Sequence, residues 1–408
     1  MSFSQALSGL NAQQSKLAVT GNNIANSQTV GFKGSNVQFA DVYAQQIGLG
    51  TRVSATMQDF TQGNIEASGR NLDLAIAGEG FFRFQLPNGD IGYSRNGQLN
   101  LTADGRLVNS QGAQIMGFPA DDDGNVQGGG DVEPLNVPAG DLEANATDEA
   151  SISLNLDAGV EALDPNGFDA ENVSTYNYST NATIYDSQGN ARNLTLYFIK
   201  DINEVNDWEI RGRVSGGPDG AEEYNNIDLG TLEFNQNGTL AGDNSTALAL
   251  NTQEFAAGAQ FEALNIDFNF NGTTQFSNNS TVNNIEQTGY TSGVLVGTTI
   301  EEDGTVMMNY SNEQSRAAGQ IAMVSFRNPE GLNPSGDNLW SATASSGPEL
   351  VGAPGTGQRG LIQASAIETS NVDLARELVD MIVAQRAYQA NSQTISTQDE
   401  LLQTIINI

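Results

Sequence analysis

Residues 361–408, LIQASAIETSNVDLARELVDMIVAQRAYQANSQTISTQDELLQTIINI, contain neither Gly nor Pro. The run therefore lacks the residues that break helices and mark turns. Within it Leu374, Leu378, Met381, Gln385, Tyr388, Ser392, Ile395, Asp399, Leu402 and Ile406 fall at alternating steps of four and three, the spacing of a narrow helical seam. Ser370-Asn371-Val372-Asp373 has the form of a capping box, so a helix is expected from near Ser370 to the end. At 1.5 Å per residue the span 371–408 is about 57 Å long, a length rare in globular domains and usual in coiled coils and assemblies.

The other end answers it. Residues 1–30 carry one charged side chain, Lys16, and Phe3, Leu7, Leu10, Gln14, Leu17, Gly21 and Ile24 repeat the same spacing. A helix is expected from residue 2 to about 26, capped by Ser2 or Ser4 and stopped by Asn22-Asn23 and Asn26-Ser27. Gly9 and Gly21 each weaken it by about 1 kcal/mol relative to Ala. Aliphatic seam residues supply burial, and uncharged Gln, Asn and Ser pair across an interface at lower desolvation cost than ions. Two seam-bearing helices at opposite termini point to a subunit that polymerises through its ends by contacts that do not close into a ring. Seams this thin have little to bury against in a free chain, so both ends are expected to order only on assembly.

The body between them reads as β. The 408 residues allow two or three domains, and 45 Gly with 10 Pro at 38% hydrophobic content suits a turn-rich β protein. Asn88-Gly89, Asn96-Gly97, Asp104-Gly105 and Gln111-Gly112 predict a meander of tight turns over 71–120. Strands are expected at 151–156, 181–185, 193–199, 208–214, 232–235 and 266–270, then at 292–299, 306–310 and 320–326. The expected architecture is mainly β with terminal α-helices, in nested discontinuous domains: a terminal helical coiled-coil domain plus two all-β domains. Residues 1–26 and 371–408 form the helical polymerisation domain, and 27–70 with 360–370 an extended connector. Residues 71–145 with 286–359 form a β domain, and 146–285 an inserted acidic outer β domain. A chain nested this way is expected to be rod-like, with both termini at one end.

Charge is unevenly spread. The formal net charge is −33, and residues 121–300 hold 29 acidic against four basic side chains. Such a surface repels phosphate backbones, so no nucleic-acid partner is expected. No Cys and no His leave no disulfide, thiolate nucleophile or Ser-His-Asp chemistry. No G-x-x-x-x-G-K-[ST] loop occurs. Asp121-Asp122-Asp123-Gly124-Asn125 fails as an EF-hand loop, because aligning its glycine puts Pro119 at the first ligand position. No catalytic residue, cofactor or metal is therefore expected. No apolar run approaches a membrane span, and the first residues carry no cleavable secretory signal.

These residues also carry a family resemblance. Ala6-Leu7-Ser8-Gly9-Leu10, Gly21-Asn22-Asn23-Ile24-Ala25-Asn26-Ser27 and Gly31-Phe32-Lys33 resemble the N-terminal signature of bacterial flagellar axial proteins of the rod and hook. Glu368-Thr369-Ser370-Asn371-Val372-Asp373, Gln385-Arg386-Ala387-Tyr388-Gln389-Ala390-Asn391-Ser392 and Asp399-Glu400-Leu401-Leu402 resemble its C-terminal signature, and Gly78-Glu79-Gly80-Phe81-Phe82 its β core. Within the family, the acidic insert of about 140 residues is similar to hook members rather than to the shorter distal rod proteins. The resemblance implies an exported, uncleaved, non-enzymatic subunit that polymerises outside the cell into a curved, flexible tube linking rod to filament and transmitting motor torque. It also implies partners: other copies of the chain, the distal rod protein, a hook cap protein, a hook–filament junction protein and the flagellar type III export apparatus. Some lineages cross-link hooks through a Cys, which this chain lacks. The competing readings are a distal rod-type axial protein, against which length argues, and a secreted β-rich binding module or carboxylate-pair glycosidase. Among 49 acids the sequence nominates no such pair.

Overall fold

The computed structural model describes residues 3–44, 47–121, 123–215, 224–241, 248–249 and 265–406. Helices stand at the two ends, α1 over Phe3–Ala25 and α2 over Leu374–Ile406, with strands and turns between them. The molecule is mainly β with terminal helices. It falls into two compact units: residues 1–139, 296–309 and 315–408 in the first, and 140–295 with 310–314 in the second.

In the first unit α1 closes where Asn26 folds back, its backbone N–H donating to the Asn22 carbonyl (3.1 Å) and its side-chain amide to Asn22 as well (3.0 Å). Of the two expected caps, Ser4 lies inside the helix and Ser2 lies outside the described residues. α2 starts later than expected. Asp373 is its cap, the carboxylate accepting from the Ala375 and Arg376 N–H groups at 2.9 and 3.2 Å. The physical reason is that the residues before it are already committed. Residues 366–368 pair as a strand, and the Asn371 side chain bonds Gly34, Asp59 and Thr61. The helix is 33 residues long, about 50 Å rather than 57.

Residues expected as an extended connector pair as a hairpin, β1 (Ser35–Ala44) with β2 (Ile47–Gln58). Register shifts opposite Gln38/Phe39 and Val42/Tyr43 put an extra residue into β2, Ser54 and Leu49, so β2 loses its two-residue alternation while β1 keeps it. The hairpin lies on α1. Ser8 Oγ accepts from the Thr51 N–H (3.2 Å), and the Gln5 side-chain amide donates to the Gly48 carbonyl (2.5 Å).

Beyond it the two ends of the chain zip together. β3 (Ile65–Ala67) pairs antiparallel with 366–368, and β4 (Asp73–Ala77) with 361–364. β5 (Phe81–Gln85) and β6 (Ile91–Ser94) form a hairpin, and β5 also pairs with residues 114–115 and 323–324. An aromatic core fills this unit: Phe60 meets Phe81 edge-on at 5.3 Å, and Phe81 lies 5.9 Å from Trp340. Three of the four expected Gly turns hold, with φ of 88°, 81° and 82° at Gly89, Gly105 and Gly112. Asn96-Gly97 does not turn. Gly97 sits in β7 (Gly97–Gln98) against β4, where a Cβ would lie 2.4 Å from the Leu74 carbonyl oxygen; close backbone approach, not turn geometry, requires Gly there.

The second unit is all β. Strands 178–185, 191–200, 207–215 and 224–233 form an antiparallel meander. A second sheet centres on strand 149–157, whose residues alternate between buried and half-exposed. Ile152, Leu154, Leu156, Leu194, Leu196, Phe198, Trp208 and Phe268 form the core, as the alternation in the sequence predicts. Trp208 Nε1 donates to Gln275 Oε1 at 3.0 Å, which satisfies the one polar atom of a fully buried ring.

Candidate functional site

α1 and α2 pair antiparallel. Gly9 faces Asn391 so closely that a Cβ would lie 2.9 Å from its amide nitrogen. Lys16 Nζ lies 3.8 Å from Asp380, and the Asn23 amide donates to Glu377 at 3.1 Å. In the lone chain the two ends thus pair with each other, the arrangement that an ordinary helical hairpin on its own domain would also give. The burial is thin: Ala6, Ala12, Thr20 and Asn23 on α1 and Ala384 on α2 are the fully buried positions among the described side chains of the helices.

The seams themselves stay largely open. On α1, Phe3, Leu7 and Gln14 are exposed, and Leu10, Leu17 and Ile24 are half-buried. On α2, Met381, Tyr388 and Ile395 are half-buried, while Leu374, Leu378, Gln385 and Leu402 are exposed; the Ile406 side chain lies outside the described residues. Sequence spacing missed a second strip. Val379, Ile382 and Val383 are 60%, 50% and 54% exposed. They share with Leu374 and Leu378 the side of α2 opposite Glu377, Asp380, Ala384 and Asn391, which meet or face α1. Four apolar residues among the five at 379–383, Val379 and Met381-Ile382-Val383 around Asp380, were the available signal, since a narrow seam needs only one or two of them.

The signature residues converge next to the helices. Asn23 is buried and clamps Ser35, donating to its carbonyl (2.9 Å) and accepting from its N–H (3.0 Å). Gly31 has φ +69°, and a Cβ on it would fall 2.7 Å from the Asn96 backbone nitrogen, so both conformation and space demand Gly. Its N–H donates to the Glu368 carbonyl at 2.7 Å. Lys33 is fully buried, and its ammonium donates to Glu368 Oε1 and the Thr61 carbonyl, both at 2.6 Å. Glu368 Oε1 also accepts from the Gly63 N–H (2.9 Å), and Arg95 Nη1 lies 3.5 Å from Oε2. Burial pulls the Lys33 ammonium below its ordinary value, against the opposing pull of Glu368; burial lowers Arg95 likewise. One carboxylate thus ties four segments distant in sequence, around residues 33, 63, 95 and 368. Of the other signature positions, Asn22 and Ala25 are exposed, and Gly21, Ile24, Asn26 and Phe32 are half-buried. Arg95 was not singled out in the sequence; a lone base in a β region gives no local sign of a buried partner 273 positions away.

Sequence profiles of four families match the chain in order. They are the flagella basal body rod protein over residues 4–33, the flagellar hook protein FlgE/F/G D1 domain over 75–159, the flagellar basal body protein FlaE D2 domain over 154–290, and the flagellar basal body rod FlgEFG protein C-terminal over 363–408. The flagellar hook protein FlgE of Escherichia coli is 44% identical over 413 residues, covering all of both chains. The chain belongs to the flagellar hook protein family. FlgE of Borreliella burgdorferi is 33% identical over 458 residues, covering all of this chain and 99% of that one. The crystal structure of Helicobacter pylori flagellar hook protein FlgE2 shares the fold, with a TM-score of 0.56 at 16% identity over 74% of this chain and 100% of that one. A hook-family chain is a structural protein and not an enzyme, in keeping with the chemistry its composition excludes.

Proposed function

We infer that this chain is the structural subunit of a bacterial flagellar hook, polymerising through α1 and α2 into a curved, flexible tube that links rod to filament. One observation carries the reading: both terminal helices still expose apolar side chains after pairing with each other, Phe3 and Leu7 in the first turns of α1 and Leu374, Leu378, Val379, Ile382, Val383, Leu401 and Leu402 on α2. Exposed apolar strips of this kind mark surfaces for contact with other chains, and contacts between unlike surfaces of successive copies propagate as a helix rather than close. The helices at 1–26 and 371–408 form the polymer wall in this reading, and the Lys33–Glu368–Arg95 cluster fixes how they leave the β unit. The subunit is exported through the flagellar type III apparatus and acts outside the cell. Its neighbours are the distal rod protein at one end of the tube, and the cap and then the junction protein at the other. The acidic surface of the insert keeps contacts between neighbouring copies weak and wet. A chain lacking residues 1–30 and 371–408 is expected to sediment as a monomer under conditions where the intact chain forms tubes visible by electron microscopy; tubes from the truncated chain would refute the role of the helices.

A further inference from the structure

The hairpin β1–β2 offers a surface that its packing on α1 does not use. Along β1, Phe39, Asp41 and Tyr43 are spaced two apart and are all exposed, Tyr43 by 66%. The strand alternation sets these three on one face, two aromatic rings flanking a carboxylate. The neighbouring base on the hairpin, Arg52, pairs with Ala40 and so belongs to the other alternation. The exposed strip of α2 has the opposite character. Leu374, Leu378 and Ile382 run along it at four-residue spacing, with Arg376 and Arg386 exposed at its borders. Three acids border it: Asp373 caps the helix, accepting from the Ala375 and Arg376 N–H groups, and Glu377 and Asp380 are occupied by Asn23 and Lys16 of α1. In a chain of net charge −33 this is an apolar row bordered by two exposed arginines, with its acids engaged on the helix cap and on α1.

The hairpin face fits within the length of the helix strip. Phe39 to Tyr43 spans about 13 Å, and Leu374 to Arg386 about 18 Å. They do not meet within one chain. The hairpin packs on α1, and the α2 strip lies on the side turned from α1. We propose that the Phe39–Asp41–Tyr43 face of one copy docks on the Leu374–Arg386 strip of α2 in a neighbouring copy. Asp41 sits against an arginine there, and the two rings lie on the aliphatic row or under a guanidinium. The contact joins unlike surfaces, so it extends rather than closes. It deepens the polymer reading above and rests on it: the hairpin becomes part of the assembly machinery.

The absence of Cys makes the test clean. Tyr43→Cys and Ile382→Cys chains, each full length, are mixed, assembled and oxidised; a disulfide-linked dimer containing one of each, formed in the tubes and not in dilute monomer, is the expected result. In parallel, Asp41→Arg is expected to raise the concentration needed for assembly about tenfold, the effect of one interfacial charge contact. Arg386→Asp added to it is expected to restore assembly, which also excludes misfolding as the cause. If intact and Asp41→Arg chains assemble alike and no mixed disulfide forms, the docking proposal fails while the polymer reading stands. If the intact chain forms no tubes, the polymer reading fails and the docking proposal with it.

Discussion

A Cβ at Gly21 would meet nothing within 4 Å in the lone chain. Gly21→Ala should therefore stabilise α1 in the monomer by about 1 kcal/mol through helix propensity alone. If a neighbour approaches this spot in the tube, the same change should impair assembly; monomer melting and tube yield, measured on one preparation, separate the two effects. Glu368 is the residue whose loss should cost most. Glu368→Ala strands Lys33 and Arg95 in a buried site and should destabilise the first unit by about 3–5 kcal/mol in urea unfolding. Lys33→Met should cost less, because Arg95 and the Gly63 N–H still hold the carboxylate. At this scale the sequence was partly readable. Gly31 and Lys33 stand in a recognisable signature, but the reason for Lys33, a carboxylate 335 positions away, is a fact of folding.

At the level of elements, the turn joining strands 178–185 and 191–200 carries its own acid sensitivity. Burial pushes the Asp186 carboxyl up, but the N–H groups of Asn190 (2.9 Å) and Gln188 (3.0 Å) and the Arg192 guanidinium (2.8 Å) outweigh it and hold it below its ordinary 3.8. A carboxyl lowered in the folded state contributes stability that is complete above its unfolded value and is lost as pH falls below that value toward the folded one. Urea midpoints should therefore drop as pH falls below about 4, and Asp186→Asn should flatten that drop while lowering the midpoint at neutral pH. α2 makes the complementary case. Leu378→Ser with Ile382→Ser removes exposed aliphatic surface, so circular dichroism melts of the monomer should move little. Tube formation should be lost. The seam spacing located this helix but not its working faces, because a 3.5-residue pattern cannot say which partner takes which side. The hairpin was illegible for a different reason: two bulges scrambled the period of β2, so its pairing with β1 left no matching pattern in the sequence.

Across the whole molecule, charge is divided unevenly between the regions. Residues 1–120 balance to zero, while 121–300 carry a net −25. Of the four bases in that stretch, Arg192 and Lys200 are spent inward, on Asp186 and on the Ala158 and Val160 carbonyls, and Arg211 pairs with Glu209 and Asp228. Raising salt to about 1 M shortens the screening length to about 3 Å. Tube curvature or stiffness, followed by electron microscopy, should then change while subunits stay bound, since apolar helix contacts are not weakened by screening. By itself the sequence determined the mainly β body with helical ends, the class of chemistry ruled out by the missing Cys and His, and the family. Those follow from composition, local periodicity and contiguous motifs, which need no knowledge of distant contacts. Only the tertiary structure decided that Glu368 gathers Lys33 and Arg95, that the helices pair through small side chains and leave their aliphatic rows open, and that residues 35–58 fold into a hairpin on α1. Each of these depends on which remote segment arrives beside which, and that is set by close packing in three dimensions rather than by the order of residues along the chain.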